Sequence, residues 1–281
     1  MIARHLWVSA VVFSLVGCAV SSRGPEEPDP IHDPVHIAQL SRLLPADAIL
    51  LGEQHDAPDH QRIHRLMVET LAARQTLAAL ALEMASQGQS TEKLGPTAGE
   101  DQVRAALQWD NAAWPWTAYG PVVMAAVRAG VPVVGANLPP ARWREAMTDT
   151  GFDRLLSGPA LKAQQQNIRL GHCGLLPESQ ISPMTRIQIA RDVSMAQTVT
   201  RAALAGKTVL LLAGSGHVDR ILGIPQHLPP GFKVKTVLLH AEQASVATNS
   251  VAQFDHFWPA RPAPVIDYCA NLTARQLTQP F

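Results

Sequence analysis

Four short segments bring together side chains that can bind metal or move protons: Gly52-Glu53-Gln54-His55, Glu83-Met84, Gly135-Ala136-Asn137 and Gly214-Ser215-Gly216-His217. Imidazoles and carboxylates are ligands for zinc and iron, and glutamate is a common general base. His60 and His64 follow His55 closely and stand four residues apart, so on a helix they share one face. With Asp56 and Asp59 they could bind a metal, or form a polar helix start whose carboxylates favour the helix dipole. The helix reading is preferred for His64, and His60 is left open. The sequence has no His-Glu-x-x-His helix and no Cys-x-x-Cys pair. Gly214-Ser215-Gly216 lacks the spacing of a nucleophile elbow or a Walker loop, so Ser215 is not read as an esterase nucleophile.

A second cluster is aromatic. Trp109, Trp114, Trp116 and Tyr119 fall close together in a chain with only 6 Trp and 2 Tyr. Some of them must pack a loop onto the core. Beside a polar site, Trp114 and Trp116 would also suit a flat apolar ligand. Tyr119 could supply a phenolate to ferric iron, as tyrosine does in some haem proteins.

The polar segments gain meaning from what precedes them. Ala48 to Leu51, Leu77 to Leu82, Val131 to Val134 and Thr208 to Ala213 are short apolar runs that read as buried parallel strands. Val234 to Leu239 reads as a last strand. Helical stripes alternate with these runs: Ile63, Leu66, Met67 and Leu71 after Pro58; Tyr119 to Ala129, stopped by Gly130; and Ile187 to Ala202, stopped by Gly206. This alternation predicts an α/β fold of three layers, α/β/α. Its parallel core has four to five strands, with additional helices from Leu94 to Asp110 and Trp143 to Glu178 capping the sheet. Open parallel sheets bind ligands beyond their carboxyl ends. Glu53, His55, Glu83, Asn137 and His217 should therefore converge on one edge.

Composition narrows the class. The chain has 281 residues, is 47% hydrophobic, and carries Lys+Arg 23 against Asp+Glu 23. That is ample core material, and zero net charge argues against nucleic acid as a partner. Residues 1–17 read as an export signal: Arg4 and His5, then an apolar stretch from Leu6 to Val16. Leu15-Val16-Gly17-Cys18 reads as a lipobox. Cys18 is then the acylated, palmitate-bearing anchor, and residues 18–34 are a proline-containing tether. Ala19 in place of Asp favours the outer membrane, with the domain facing the periplasm. Residues 35–281 form a single domain. Two further cysteines, Cys173 and Cys269, are expected as unpaired thiols, with a disulfide the alternative that an oxidising compartment allows.

In order along the chain, several motifs resemble the ChaN-like haem-binding lipoproteins of the Tiki superfamily. They are Leu50-Leu51-Gly52-Glu53-Gln54-His55-Asp56 with His60, Leu82-Glu83-Met84, Trp114-Pro115-Trp116 with Tyr119, and Ala136-Asn137-Leu138-Pro139. Asp192 with Met195-Ala196, Gly214-x-Gly216-His217 and Gly223-Ile224-Pro225 complete the set. The resemblance runs from Ala48 to Leu228. It implies an α/β/α fold and haem held at a homodimer interface. It also implies a part in iron uptake at the outer membrane, with an outer-membrane haem receptor as partner. The iron ligand is left among Tyr119, His55, His60 and His217. The same superfamily includes erythromycin-esterase-like and Tiki-like proteins. The alternative is therefore a hydrolase dependent on a divalent metal, with Glu53 or Glu83 as base and His55 and His217 binding metal or orienting substrate. A haem pocket needs mostly apolar walls and one or two ligands, so this cluster of Glu and His exceeds that need.

Overall fold

The computed structural model describes residues 33–241, 253–264 and 266–270. The export signal, Cys18 and the tether as far as residue 32 lie outside the described residues. Near-continuous apolar runs suit strands covered on both faces. Such runs are β1 (Ala48–Glu53), β2 (Leu77–Ser86) and β4 (Thr208–Gly214), buried almost throughout, while β3 (Val133–Asn137) and β5 (Val234–Ala241) are partly buried. With β6 (His256–Ala260) they form one sheet in the order β3-β2-β4-β1-β5-β6, parallel throughout.

Alternate residues of the sheet feed two cores. Ile49, Leu51, Leu80, Leu82, Leu210 and Leu212 face one side. There α1 (Pro34–Leu43), α2 (Pro58–Ala73), α3 (Glu100–Leu107) and α4 (Trp116–Arg128) cover them with Leu40, Ile63, Met67, Val103 and Val123. Ala48, Leu50, Leu211 and Ala213 face the other side, under Met195, Ala196 and Val199 of α7 (Glu178–Ala202). Both α5 (Trp143–Thr148) and α6 (Gly158–Gly171) pack outside α7. This is the three-layer α/β/α fold expected from the sequence. Among the described residues, no helix is long and apolar enough to cross a membrane.

Three features differ from expectation. The sheet has six strands, because the tail segment His256–Ala260 adds an edge strand along β5, with Val237 beside His256 and Ala241 beside Ala260. Pro259 hid it, yet a proline is tolerated on an edge where no neighbour needs its N–H. The Pro259 carbonyl accepts from His36 Nε2 at 3.2 Å, and Trp258 is buried against the His36 ring. Two boundaries also move: β3 begins at Val133, and α7 begins at Glu178 and runs through Pro183. Finally, Cys173 and Cys269 form a disulfide, their Cα atoms 5.8 Å apart, rather than two free thiols. The two residues are 96 apart in sequence, and only the return of the tail after β6 brings them together.

The register positions the functional edge. Strand β4 lies between β1 and β2, and Glu53 pairs with Gly214 while Leu82 pairs with Leu212. Glu53 and Gly214 thus end β1 and β4 side by side, Glu83 follows Leu82 in β2, and Asn137 ends β3. Trp258→Ala would empty a fully buried site at the sheet edge and should cost about 3–5 kcal/mol. Urea unfolding of the variant checks this, and an unchanged midpoint would mean that β6 contributes nothing to the fold.

Candidate functional site

Two buried carboxylates organise the carboxyl edge of the sheet. Glu53, the last residue of β1, binds two side chains and lies close to a third. Its Oε1 accepts from Tyr119 Oη of α4 at 2.6 Å and faces His55 Nδ1 at 2.7 Å. Its Oε2 lies 3.4 Å from Nδ1 of His64 in α2. Burial raises the Glu53 pKa, against the opposing effect of its bonds to His55 and Tyr119. Burial and the Glu53 charge also hold the Tyr119 phenol above its ordinary range.

Glu83, within β2, binds a different set. Its Oε2 accepts the Gly214 N–H at 2.7 Å. Its Oε1 meets Arg191 Nη2 of α7 at 2.5 Å and His217 Nε2 at 3.4 Å. His217 lies in α8 (Ser215–Val218), a single turn directly after β4, and its Nδ1 is 2.5 Å from the buried Asp192. Asn137 is the clamp behind this group: it donates to the Glu83 carbonyl at 2.9 Å and accepts from Arg191 Nε at 3.0 Å. Burial would raise the Glu83 pKa, but the charges of His217 and Arg191 hold it well below the usual carboxylate range. For His217 burial opposes protonation, and Glu83 and Asp192 outweigh it, pushing the pKa up to about 9. Burial pushes Asp192 up to about 6.

His55 sits between the two carboxylate groups and differs from the other candidates in exposure: its side chain is 41% accessible. The bond to Glu53 holds a proton on Nδ1 and leaves the Nε2 lone pair available in the neutral ring. A Cβ on Gly214 would lie 2.9 Å from that Nε2, so glycine lets the imidazole pack close against the turn after β4. Trp114 stands edge-on to the imidazole, ring centroids 4.8 Å apart, and edge-on to Tyr119 at 5.9 Å. Burial lowers the affinity of His55 for a second proton, but the bond to Glu53 and the charge of Glu83 outweigh it and raise its pKa.

The remaining candidates are enclosed. His60 is fully buried, its Nδ1 accepts the Gln54 N–H at 3.0 Å, and burial pushes its pKa down to about 4. Trp116 belongs to the core, with its Nε1 donating to Glu100 at 2.8 Å and its ring against Trp109. His64 is a buried residue of α2, as the helix reading has it, and sequence reasoning missed Arg191 and Gln188. Gln188 Nε2 lies 3.2 Å from His217 Nδ1. The available signal was Gln188, Arg191 and Asp192 at i, i+3 and i+4, three polar residues on one helix face. Among the described residues, no three His, Cys, Asp or Glu side chains are grouped so as to hold a metal ion. The donors of Glu83 and His217 are already engaged by Arg191 and Asp192, so the expected divalent-metal centre gains no support.

Comparison with known proteins agrees with this architecture. Residues 39–228 match the family described as haem-binding uptake, Tiki superfamily, ChaN. Among solved structures, ChaN of Campylobacter jejuni, described with cofacial haem binding, is 26% identical with a TM-score of 0.63. The alignment covers 74% of this chain and 87% of that one. The type III effector HopBA1 shares the fold, at 15% identity and a TM-score of 0.50, over 84% of this chain and 95% of that one. No curated protein sequence matches the chain.

The charged group around Glu83 carries its own pH signature. His217 holds its proton to about pH 9 in the folded chain but to about pH 6.5 when unfolded. Its contribution is therefore complete below pH 6.5 and is lost as the pH rises through about 9. Chemical unfolding should show stability falling between pH 7 and 9, and His217→Gln should flatten that slope. A wild-type slope identical to the variant's would show that His217 is not charged in the fold.

Proposed function

The chain belongs to the ChaN family of the Tiki superfamily, and from that premise we propose that it binds haem at the carboxyl edge of the sheet. In this reading His55 offers Nε2 to the iron. The observation that carries it is the combination of a half-exposed imidazole and a carboxylate fixing its other nitrogen. Carboxylate–imidazole pairing of this kind raises ligand basicity and fixes ring orientation. Trp114 supplies an aromatic edge beside the iron position. The other candidates fit less well. Tyr119 is buried and donates its hydroxyl to Glu53, His60 is sealed under the β1–α2 turn, and His217 is bonded through both nitrogens.

Glu53 is in this reading a positioning residue for His55 and Tyr119, a larger part than a simple apolar pocket would give it. The cellular role follows from the N-terminal sequence. An export signal, an acylated Cys18 and Ala19 support an outer-membrane lipoprotein that faces the periplasm and takes haem from an outer-membrane receptor during iron acquisition. The cofacial haem binding described for the Campylobacter jejuni protein supports a homodimer whose haem groups face one another. The hydrolase alternative has no comparable support, because it requires metal donors that are here committed to internal bonds.

Hemin titration of residues 19 to 281, followed by absorbance, tests the reading. Wild type should give a saturable Soret shift, and Glu53→Gln should weaken binding about 10–100-fold. His55→Ala should change both affinity and the spectrum, while Tyr119→Phe should leave the spectrum unchanged. Only neutral imidazole ligates, and the His55 pKa is raised, so affinity should fall as the pH drops from 8 to 6. A His55→Ala protein with a wild-type spectrum would assign the iron to another residue. No shift beyond that of an unrelated carrier protein would overturn haem binding itself.

A further inference from the structure

The segment after β6 lies beyond the family-matched residues, yet it returns to the turn that carries His55. Arg261 N–H donates to Asp59 Oδ2 at 2.8 Å, and Ala263 packs with Ala57 and Ala241. Tyr268 donates its hydroxyl to Asp56 Oδ2 at 2.5 Å, and the adjacent Cys269 is bonded to Cys173, just past α6. Asp56, Ala57 and Asp59 all lie between His55 and the first turn of α2. The strap is thus fastened along the rim of the site and closed by a covalent bond at its far end.

Exposed apolar side chains gather in sequence around the bridge between the strap and the end of α6. Tyr268 is 58% exposed although its hydroxyl is satisfied. Leu170, Leu175 and Ile266 are exposed as well, each within three residues of one of the bridged cysteines. These four are half of the eight large apolar side chains exposed among the described residues. A macrocycle attached through one half-exposed imidazole needs further apolar surface to leave water.

We propose that Tyr268 is a ligand-binding residue at the rim of the haem site, its ring packing on the porphyrin, and that the Cys173–Cys269 bridge positions it there. The inference rests on the haem reading and deepens it. Tyr268 acts through its ring and not as an iron ligand, because its hydroxyl is held by Asp56. Leu170, Leu175 and Ile266 extend the same surface. The cysteines are positioning residues that act through Tyr268.

Hemin titration of the soluble chain separates these roles. Tyr268→Ala should weaken binding about tenfold, equivalent to about 1.4 kcal/mol, with the Soret position unchanged. Tyr268→Phe should retain wild-type affinity. The Cys173→Ser/Cys269→Ser protein should lose about as much as Tyr268→Ala, and adding Tyr268→Ala to it should cost little more. Without haem, hydrogen exchange at residues 54–57 should rise in the double-serine protein. Wild-type affinity in Tyr268→Ala would overturn the proposal while leaving haem binding intact. Unchanged exchange at residues 54–57 would overturn the part given to the bridge. A wild-type chain that binds no haem would overturn both readings together.

Discussion

A carboxylate buried at the end of an inner strand stays charged only if other groups replace the water it has lost. Glu83 imposes that requirement, and much of the functional edge is the answer to it. Arg191 and Asp192 must sit where α7 packs on the sheet, beside Ala190, Met195 and Val199. Asn137 must end β3 where it can hold Arg191 Nε. The chain must turn immediately after β4 so that the Gly214 N–H and His217 reach the same carboxylate. One charge thus ties β2, β3, β4, α7 and α8 into a single arrangement. Removing either partner would leave the other charge buried without compensation, which is the costly case for a buried pair.

Glu53 solves the same problem by other means. It has no arginine and relies on a phenol and an imidazole: Tyr119 and His55. Neutral donors compensate a buried carboxylate less completely than a guanidinium does, and the directions of the two shifts differ accordingly, Glu53 raised and Glu83 lowered. The Glu83 group therefore acts as a fixed electrostatic frame. The Glu53 group is closer to balance, and it is the one connected to the solvent-facing imidazole. Groups poised in this way are those that respond to a ligand or to pH near neutrality.

The strand ends were legible because a parallel sheet buried on both faces leaves an unbroken apolar run that stops where polar residues begin. Ala48 to Leu51 before Glu53 and Thr208 to Ala213 before Gly214 show this plainly. The fold class followed from the alternation of such runs with helical stripes. Exposure was not legible: His55, His60 and His217 look alike in sequence, and only the packing of α2 and α7 separates an open imidazole from two enclosed ones. The spacing of His64 suits a helix face, and it is a buried residue of α2. Neither β6 nor the disulfide had a local signature. The one contains Pro259, and the other joins residues whose proximity depends on the whole course of the chain.

The contrast between the two halves of the site bears on what kind of ligand relationship the edge suits. A resident cofactor is usually enclosed, with its ligands supported on several sides and most of its surface removed from water. His55 stands at an open rim, with its support confined to Glu53 below and Trp114 beside it. A ligand held there exchanges more readily than one buried in the core, and a second surface is needed to complete its enclosure. The strap, with its exposed ring and aliphatic side chains, supplies part of that surface. A second copy of the chain would supply the rest in the cofacial arrangement proposed above. If haem binds there as proposed, partial enclosure by one chain would let it be taken up and passed on, which a closed pocket would resist.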